Sequence, residues 1–191
     1  MSTKLVKIRK GTKSLPIDKL EDLDNYTGLE IIGASVEVIP DLYDKAKHLK
    51  TLIINCPELK EFPSFIFQLN NLEKLKVKNS KISTILDNPI SFLNLKSIDL
   101  NSNNLKSLPN WLYSLKDLEE LSASGNAIES LSDDISNLIS LKRINLDRNC
   151  LKDIPQGLQK VTGLNHLSLE HNSFDSEVKN QLFLKYKIWF N

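Results

Sequence analysis

The chain has 191 residues, enough for one or two domains. It contains 33 leucines and 19 asparagines but only 6 glycines and 7 prolines, which excludes a collagen-like or disordered chain. Its 25 basic and 24 acidic side chains almost cancel, so the net charge of +1 gives no electrostatic case for a general nucleic-acid or membrane-surface binder. Its two cysteines, Cys56 and Cys150, are too few for a disulfide framework or a thiolate zinc site. We therefore expect a cytoplasmic protein with a large buried core and no cofactor.

The first ten residues, MSTKLVKIRK, alternate apolar and basic side chains. This alternation predicts an edge strand with Val6 and Ile8 inward. The segment lacks an apolar run as long as a signal peptide requires, and no later run reaches the 18 apolar residues of a membrane span. We interpret residues 1–25 as an N-terminal capping repeat.

Leucine recurs with a period of 23 residues along most of the chain. From Leu95 the sequence reads L-x-x-L-x-L-x-x-N-x-L-x-x-L-P-x-x-L-x-x-L. Steps of 23 residues reach the first position of each further copy, at Tyr26, Leu49, Leu72, Leu118, Leu141 and Leu164. Seven copies occupy residues 26–174 without an insertion, and an eighth, imperfect copy begins at Thr3. A strict period of this length is typical of a solenoid.

These residues resemble the leucine-rich repeat family over about the whole chain. The 23-residue L-P-x-x-L unit is similar to the Ras-suppressor-like intracellular class and its bacterial relatives. It differs from the bacterial effector class, with its doubled L-P-x-L-P, and from internalin-type surface proteins, with their 22-residue unit. The resemblance implies an α/β fold: a right-handed leucine-rich repeat solenoid in a horseshoe arc. A parallel β-sheet would line its concave face, and short helical or irregular return segments its convex face.

The pattern within each copy supports this architecture independently. Counted from the first position, positions 4 and 6 are apolar and positions 3, 5 and 7 are mostly polar, which predicts a short strand with one buried face. An amide that both donates and accepts recurs at position 9 of the last four copies and predicts a stacked structural ladder. Its members are Asn103, Asn126, Asn149 and Asn172.

The N-terminal copies lack these asparagines. Position 9 is Ala34, Pro57 and Ser80 in the three copies before Leu95. The copy that begins at Leu72 is further disturbed, because Leu86 replaces the turn proline and Pro89 falls where a core leucine is expected. The sequence therefore predicts that residues 26–94 are less regular than residues 95–172.

After residue 174 the repeat pattern stops, and residues 175–191 are interpreted as a C-terminal cap. Ser176 as the N-cap, with Val178 and Leu182 on one stripe, predicts a helix. The last residues, KIWFN, are expected to form a final strand with Trp189 facing outward. We predict a single domain over residues 1–191.

Candidate binding residues lie at positions 3, 5 and 7, which project from the concave face. Ile32 and Ile53 are followed by the lysine row Lys74, Lys76 and Lys78, and apolar area rimmed by one charge is typical of a protein-binding patch. The alternative is a slightly apolar strand beside solvated lysines. The remaining members of the predicted binding face are Asp99, Asn101, Arg143, Asp147, His166, Glu170 and Trp189.

Histidine, serine and acid occur together at the C-terminal end, at His166, Ser168 and Glu170. Strand geometry disfavours a catalytic triad, since residues four apart lie ~13 Å from each other along a strand. No phosphate loop, metal-binding helix or nucleophile elbow is present. We expect no catalytic residue and no metal site.

Aromatic residues occur at positions 17 and 19 of the return segments. They either pack between neighbouring segments or form an apolar strip for weak self-association. The four that define this strip are Phe65, Phe67, Trp111 and Tyr113.

Together these features and the resemblance predict a non-enzymatic protein–protein interaction module that binds a protein partner through its concave face. Neither nucleic acid nor membrane is expected as a partner. Two alternatives remain open: an inhibitor or immunity-type protein that covers an effector's active site, and the recognition domain of a larger signalling system.

Overall fold

The structure, a computed structural model, describes residues 2–92 and 94–188. Eight parallel strands form one open sheet, in which each strand pairs with the next one along the chain. They are β1 (Thr3–Ile8), β2 (Gly28–Gly33), β3 (Thr51–Asn55), β4 (Lys74–Lys78), β5 (Ser97–Asp99), β6 (Glu120–Ser122), β7 (Arg143–Asn145) and β8 (His166–Ser168). This order confirms the predicted leucine-rich repeat solenoid with its parallel sheet on the concave face.

The strand register follows the 23-residue period from β2 onward. Gly28 pairs with Thr51, and every later pair of neighbouring strands has the same spacing. Between β1 and β2 the spacing is 25, so Leu5 pairs with Glu30. The leucine pattern placed Leu5 beside Gly28; the true register differs by two residues, because the first return segment is longer. The parity is unchanged, and Val6 and Ile8 are buried as predicted.

The core runs along the stack as a continuous layer. Inward side chains such as Leu29, Leu52 and Leu75 have no exposed surface, and Leu52 lies in register between the other two. A single copy has no second layer on which to bury its leucines, so stacking supplies it.

The return segments are short. α1 (Tyr43–Ala46) is followed by 3-10 turns at Ser64–Gln68, Asn110–Ser114, Asp133–Asn137 and Gln156–Lys160. Three of these turns begin after a proline whose φ lies between −64° and −69°, the angle that its ring imposes. In the Leu72 copy, residues 79–92 contain no helical turn and Leu86 is exposed, which confirms the predicted disturbance.

The predicted irregularity of the whole N-terminal half is wrong for the sheet. β1–β4 have five or six residues, whereas β5–β8 have three. In the C-terminal copies side chains replace the backbone bonds that would lengthen the strands: Asn103 Nδ2 donates to the Val77 carbonyl, and Asp99 Oδ1 accepts the Asn101 N–H. The asparagines that make these copies regular in sequence thus shorten their strands.

The asparagine ladder is confirmed. In each of the four copies the amide nitrogen donates to the carbonyl three residues before it and to the one 26 residues before it. The amide oxygens of Asn126, Asn149 and Asn172 each accept a backbone N–H of the preceding copy. The buried oxygen of Asn103 has no such partner, because the ladder ends at the disturbed copy.

The C-terminal helix is present as α2 (Ser176–Tyr186), but its cap differs from the prediction. Asp175, not Ser176, is the N-cap, and its carboxylate accepts the Val178 N–H at 2.9 Å. Lys187 ends the helix in the left-handed conformation, with φ of 57°. The expected strand therefore does not begin at Lys187, and Trp189 lies outside the described residues.

The aromatic residues of the return segments are interior. Phe65, Phe67, Trp111 and Tyr113 are all buried, and the Trp111 ring meets the Phe67 and Phe92 rings edge-on at 6.1 and 5.3 Å. Packing between neighbouring segments is thus the correct interpretation. The predicted strip for self-association is wrong, because these side chains leave almost no apolar surface exposed.

Candidate protein-binding face

The outward side chains of the eight strands form three columns on the concave face. Position 3 carries Thr3, Gly28, Thr51, Lys74, Ser97, Glu120, Arg143 and His166. Position 5 carries Leu5, Glu30, Ile53, Lys76, Asp99, Ser122, Asn145 and Ser168. Position 7 carries Lys7, Ile32, Asn55 and Lys78, and the sequence period extends it to Asn101, Ser124, Asp147 and Glu170.

Three aliphatic side chains form what we term the apolar patch: Leu5, Ile32 and Ile53. Leu5 is 49% exposed, and the two isoleucines are half-buried. The repeat pattern predicted that both isoleucines are binding residues on this face, whereas Leu5 was not among the predicted binding residues. The register of β1 pairs Leu5 with Glu30, two residues before Ile32 on β2, and Glu30 in turn pairs with Ile53. Adjacent strands thus present apolar area toward solvent.

The lysine row beside the patch is not uniform. Lys76 Nζ lies 3.4 Å from an Asp99 carboxylate oxygen, and these side chains are only 27% and 12% exposed. Lys74 is exposed and Lys78 half-buried, and within the described residues neither has a carboxylate in ion-pair range. Lys74 and Lys78 therefore present their charge to solvent, whereas that of Lys76 is compensated by the next strand.

Some predicted contact residues on the C-terminal strands bind their own sheet. Asn101 Oδ1 accepts from Ser122 Oγ at 2.8 Å and from the Ser124 N–H at 2.6 Å. Two copies later, Asp147 accepts from Ser168 Oγ at 2.7 Å and from the Glu170 N–H at 2.7 Å. The same arrangement thus recurs after 46 residues, and it holds Asn101 and Asp147 in place.

The C-terminal corner exposes Arg143, His166 and Glu170. Ser168 donates to Asp147 rather than to His166, so the structure shows no serine activated by a histidine there. In residues 2–92 and 94–188, no group of three or more His, Cys, Asp or Glu side chains could hold a metal ion. None of the helices in these ranges is long and apolar enough to cross a membrane.

Position 2 forms a charged rim beside the sheet. Lys50 Nζ lies 2.8 Å from Glu73, and Lys142 Nζ lies 2.7 Å from Glu119, in each case on the adjacent copy. The hydrogen bond and charge of Lys50 lower the pKa of Glu73, and those of Lys142 lower the pKa of Glu119. These lysines are compensated within the chain, unlike Lys74 and Lys78.

A second apolar surface, which the repeat pattern did not predict, lies on the return side. An open groove of about 720 Å³ has Val38, Phe62, Pro63 and Leu86 among its lining residues. Val38 is 56% and Leu86 65% exposed. The groove lies where the Leu72 copy lacks its helical turn. The missing proline predicted that this copy is irregular, but it did not predict a groove.

Comparisons with known proteins agree with this architecture. The sequence profile of the family Leucine Rich Repeat matches residues 94–115, which is the copy with the complete motif. This match and the solenoid fold support the predicted resemblance to the leucine-rich repeat family. Proteins of this family are generally protein-interaction modules, and the fold is typically non-enzymatic.

Solved structures extend the similarity to the whole repeat array. A leucine-rich repeat protein of Leptospira interrogans is 25% identical, with a TM-score of 0.78, over 98% of this chain and 48% of that one. The repeat chain thus spans about half the length of that protein. Internalin C2 of Listeria monocytogenes is 24% identical, with a TM-score of 0.69, over 87% of this chain and 70% of that one, and shows the fold alone. No curated protein matches the chain in sequence.

Proposed function

We propose that this leucine-rich repeat chain is a non-enzymatic binding module that holds a protein partner against its concave face. The observation that carries the proposal is the apolar patch. Leu5, Ile32 and Ile53 project from the face of the sheet opposite the core, so core packing does not require them to be apolar. Such a cluster with a polar rim is typical of a protein interface.

The C-terminal corner of the sheet has no catalytic role in this proposal. A catalytic site needs a nucleophile and a base within hydrogen-bond reach and a place for the reacting group between them. Ser168 donates its hydrogen bond to Asp147, and His166 and Glu170 are exposed on the sheet surface. We propose that Arg143, His166 and Glu170 form a polar extension of the partner contact. We also propose a cytoplasmic location.

Affinity capture tests the proposal with two matched variants. The first carries Ile32→Glu and Ile53→Glu on the concave face, and the second carries Val38→Glu and Leu86→Glu at the return-side groove. Both replace two aliphatic side chains by carboxylates, so they change the net charge equally. Circular dichroism and thermal unfolding establish that each variant is folded. Leu5→Glu, at an exposed position of the edge strand, serves if the double isoleucine variant does not fold.

The expected result is that a tagged wild-type chain and the groove variant retain the same protein from a lysate of the native cells, while the concave variant loses it. Loss of capture by the groove variant alone would move the binding surface to the return side. Retention by both variants would contradict the proposal.

A further inference from the structure

The charge on the concave face changes sign between β4 and β5. The outward positions of β1–β4 carry four lysines and one acid: Lys7, Lys74, Lys76, Lys78 and Glu30. From β5 to the end of the columns there are four acids and one arginine: Asp99, Glu120, Asp147, Glu170 and Arg143. The net charge of +1 for the whole chain conceals this division.

The lysines lie immediately beside the apolar patch. Lys7 is the register partner of Ile32, and Ile53 is the register partner of Lys76, which has Lys74 and Lys78 on the same strand. Four strands span ~14 Å and positions 3 to 7 span ~13 Å. The patch and its lysines thus fit within the footprint of a short extended polypeptide segment of about five residues.

Three of these cations have no acidic partner among the residues that the structure describes. Within the described ranges, no carboxylate lies in ion-pair range of Lys7, Lys74 or Lys78. Glu30 lies between Leu5 and Ile53 in the position 5 column. Its carboxylate repels any carboxylate of a partner that comes close to it, because like charges repel. Complementarity therefore favours a partner whose carboxylates face Lys7, Lys74 and Lys78.

The neighbouring side chains distinguish a polypeptide from a nucleic acid. Single-stranded nucleic acids bind by stacking their bases on aromatic rings in a basic groove. The outward positions of β1–β4 carry no aromatic side chain, and their apolar members are one leucine and two isoleucines. Aliphatic side chains offer no stacking platform but pack well against the aliphatic side chains of a protein.

From this arrangement we infer that β1–β4 bind an acidic polypeptide segment whose aliphatic side chains cover Leu5, Ile32 and Ile53 while its carboxylates meet Lys7, Lys74 and Lys78. The inference rests on the proposed function and specifies the chemistry of the partner. Rim charges contribute more to association rate and selectivity than to affinity, and they are screened by salt.

Four fluorescent probes test the inference by anisotropy on the full chain. The first is a nine-residue peptide of alternating glutamate and leucine with blocked ends. The others are a lysine–leucine peptide, a glutamate–serine peptide and a single-stranded DNA oligonucleotide of the same charge as the first. The glutamate–leucine peptide is expected to bind at least tenfold more tightly than any other probe. It is also expected to weaken as salt rises.

Charge variants locate the site. Lys74→Glu with Lys78→Glu is expected to weaken the glutamate–leucine peptide at least tenfold. The matched control, Lys116→Glu with Lys152→Glu, changes the net charge equally at exposed positions off the sheet and is expected to leave binding unchanged. Glu30→Gln removes the opposing carboxylate and is expected to tighten binding about threefold.

Four outcomes would overturn the inference. They are equal binding of the glutamate and lysine peptides, equal or tighter binding of the oligonucleotide, equal losses in the lysine variant and its control, and dimerisation of the wild type that Lys74→Glu with Lys78→Glu abolishes. The last result, measured by sedimentation, would assign the face to the acidic half of a second copy. If capture of the native partner still depends on Ile32 and Ile53 while the peptides show no selectivity, the proposed function stands and only the inference fails.

Discussion

The Lys76 ammonium lies 3.4 Å from the Asp99 carboxylate, across the junction at which the strands shorten and the charge of the concave face changes sign. Asp99 is buried and also accepts the Asn101 N–H at 3.1 Å. The Asp99 carboxylate thus accepts the N–H that would extend β5, and it compensates the charge of Lys76 on β4. Both residues were predicted to contact a partner, and the structure gives them an internal role as well.

Replacing Lys76 by methionine is expected to destabilise the chain by about 1 kcal/mol, because it leaves the Asp99 carboxylate without its counter-charge. Lys74→Met is the control, since Lys74 is exposed on the same strand and has no ion pair with any residue that the structure describes. Its effect is expected to stay within about 0.5 kcal/mol. Urea denaturation followed by circular dichroism measures both. Equal effects of the two substitutions would show that the Lys76–Asp99 pair contributes nothing to stability.

Two substitutions in the asparagine ladder are expected to differ in their cost to stability. The Asn149 amide donates to the Ala123 and Leu146 carbonyls and accepts the Ile128 N–H, all at 3.0 Å. Asn149→Ala leaves these buried groups unpaired and is expected to cost about 3 kcal/mol. Asn103→Ala is expected to cost about 1 kcal/mol less, because the Asn103 oxygen has no donor to lose. Identical urea midpoints for the two variants would contradict this account.

Gly157 is required by a close approach between two return segments. A Cβ atom at this position would lie 2.0 Å from the Asp133 carbonyl oxygen, which belongs to the backbone and cannot rotate away. The Gly157 N–H also donates to the Asp133 carboxylate at 2.7 Å. Gly157→Ala is therefore expected to destabilise the chain by about 2 kcal/mol or more.

The control for this prediction is Gly163→Ala, whose Cβ would meet the Leu141 carbonyl oxygen at 3.4 Å, an ordinary contact. Its effect is expected to be within about 0.5 kcal/mol. Thermal unfolding compares the two variants directly. A melting temperature for Gly157→Ala that matched that of Gly163→Ala would mean that the return segments separate without cost.

The repeat period predicted most of the fold because each copy has the same length and the same buried positions. It failed at β1, where the first return segment adds two residues that the leucine pattern does not reveal. The shift keeps the parity of β1, so Leu5 faces outward in either register. The pairing of Lys76 with Asp99 was also hidden, since it depends on which side chains meet across neighbouring strands. Periodicity assigns a side chain to a face but does not describe its partners.

The charged rim predicts a specific dependence on pH. Lys50 and Lys142 lower the folded-state pKa of Glu73 and Glu119 below the ordinary value of 4.5. Their contribution to stability is therefore fully present above pH 4.5 and is lost as the pH falls through the lowered folded-state pKa. Stability between about pH 5 and pH 3 is expected to fall less in Glu73→Gln with Glu119→Gln than in the wild type.

Glu61→Gln with Glu129→Gln is the matched control for this measurement, because both side chains are exposed and have no ion pair within the described residues. Its loss of stability on acidification should equal that of the wild type. If the rim variant and the control change this loss of stability equally, the Lys50 and Lys142 pairs do not account for the acid sensitivity.

The two cysteines are expected to differ in reactivity. Burial raises the pKa of the Cys56 thiol to about 11, whereas Cys150 is exposed. A thiol with that pKa is only ~0.1% thiolate at pH 8, and the thiolate is the nucleophile that attacks a disulfide reagent. The native chain should therefore release one equivalent of reporter thiol rapidly and a second only in urea. Cys150→Ser should remove the rapid equivalent and Cys56→Ala the slow one. Rapid release of two equivalents from the native chain would show that the β3 end of the core opens to solvent.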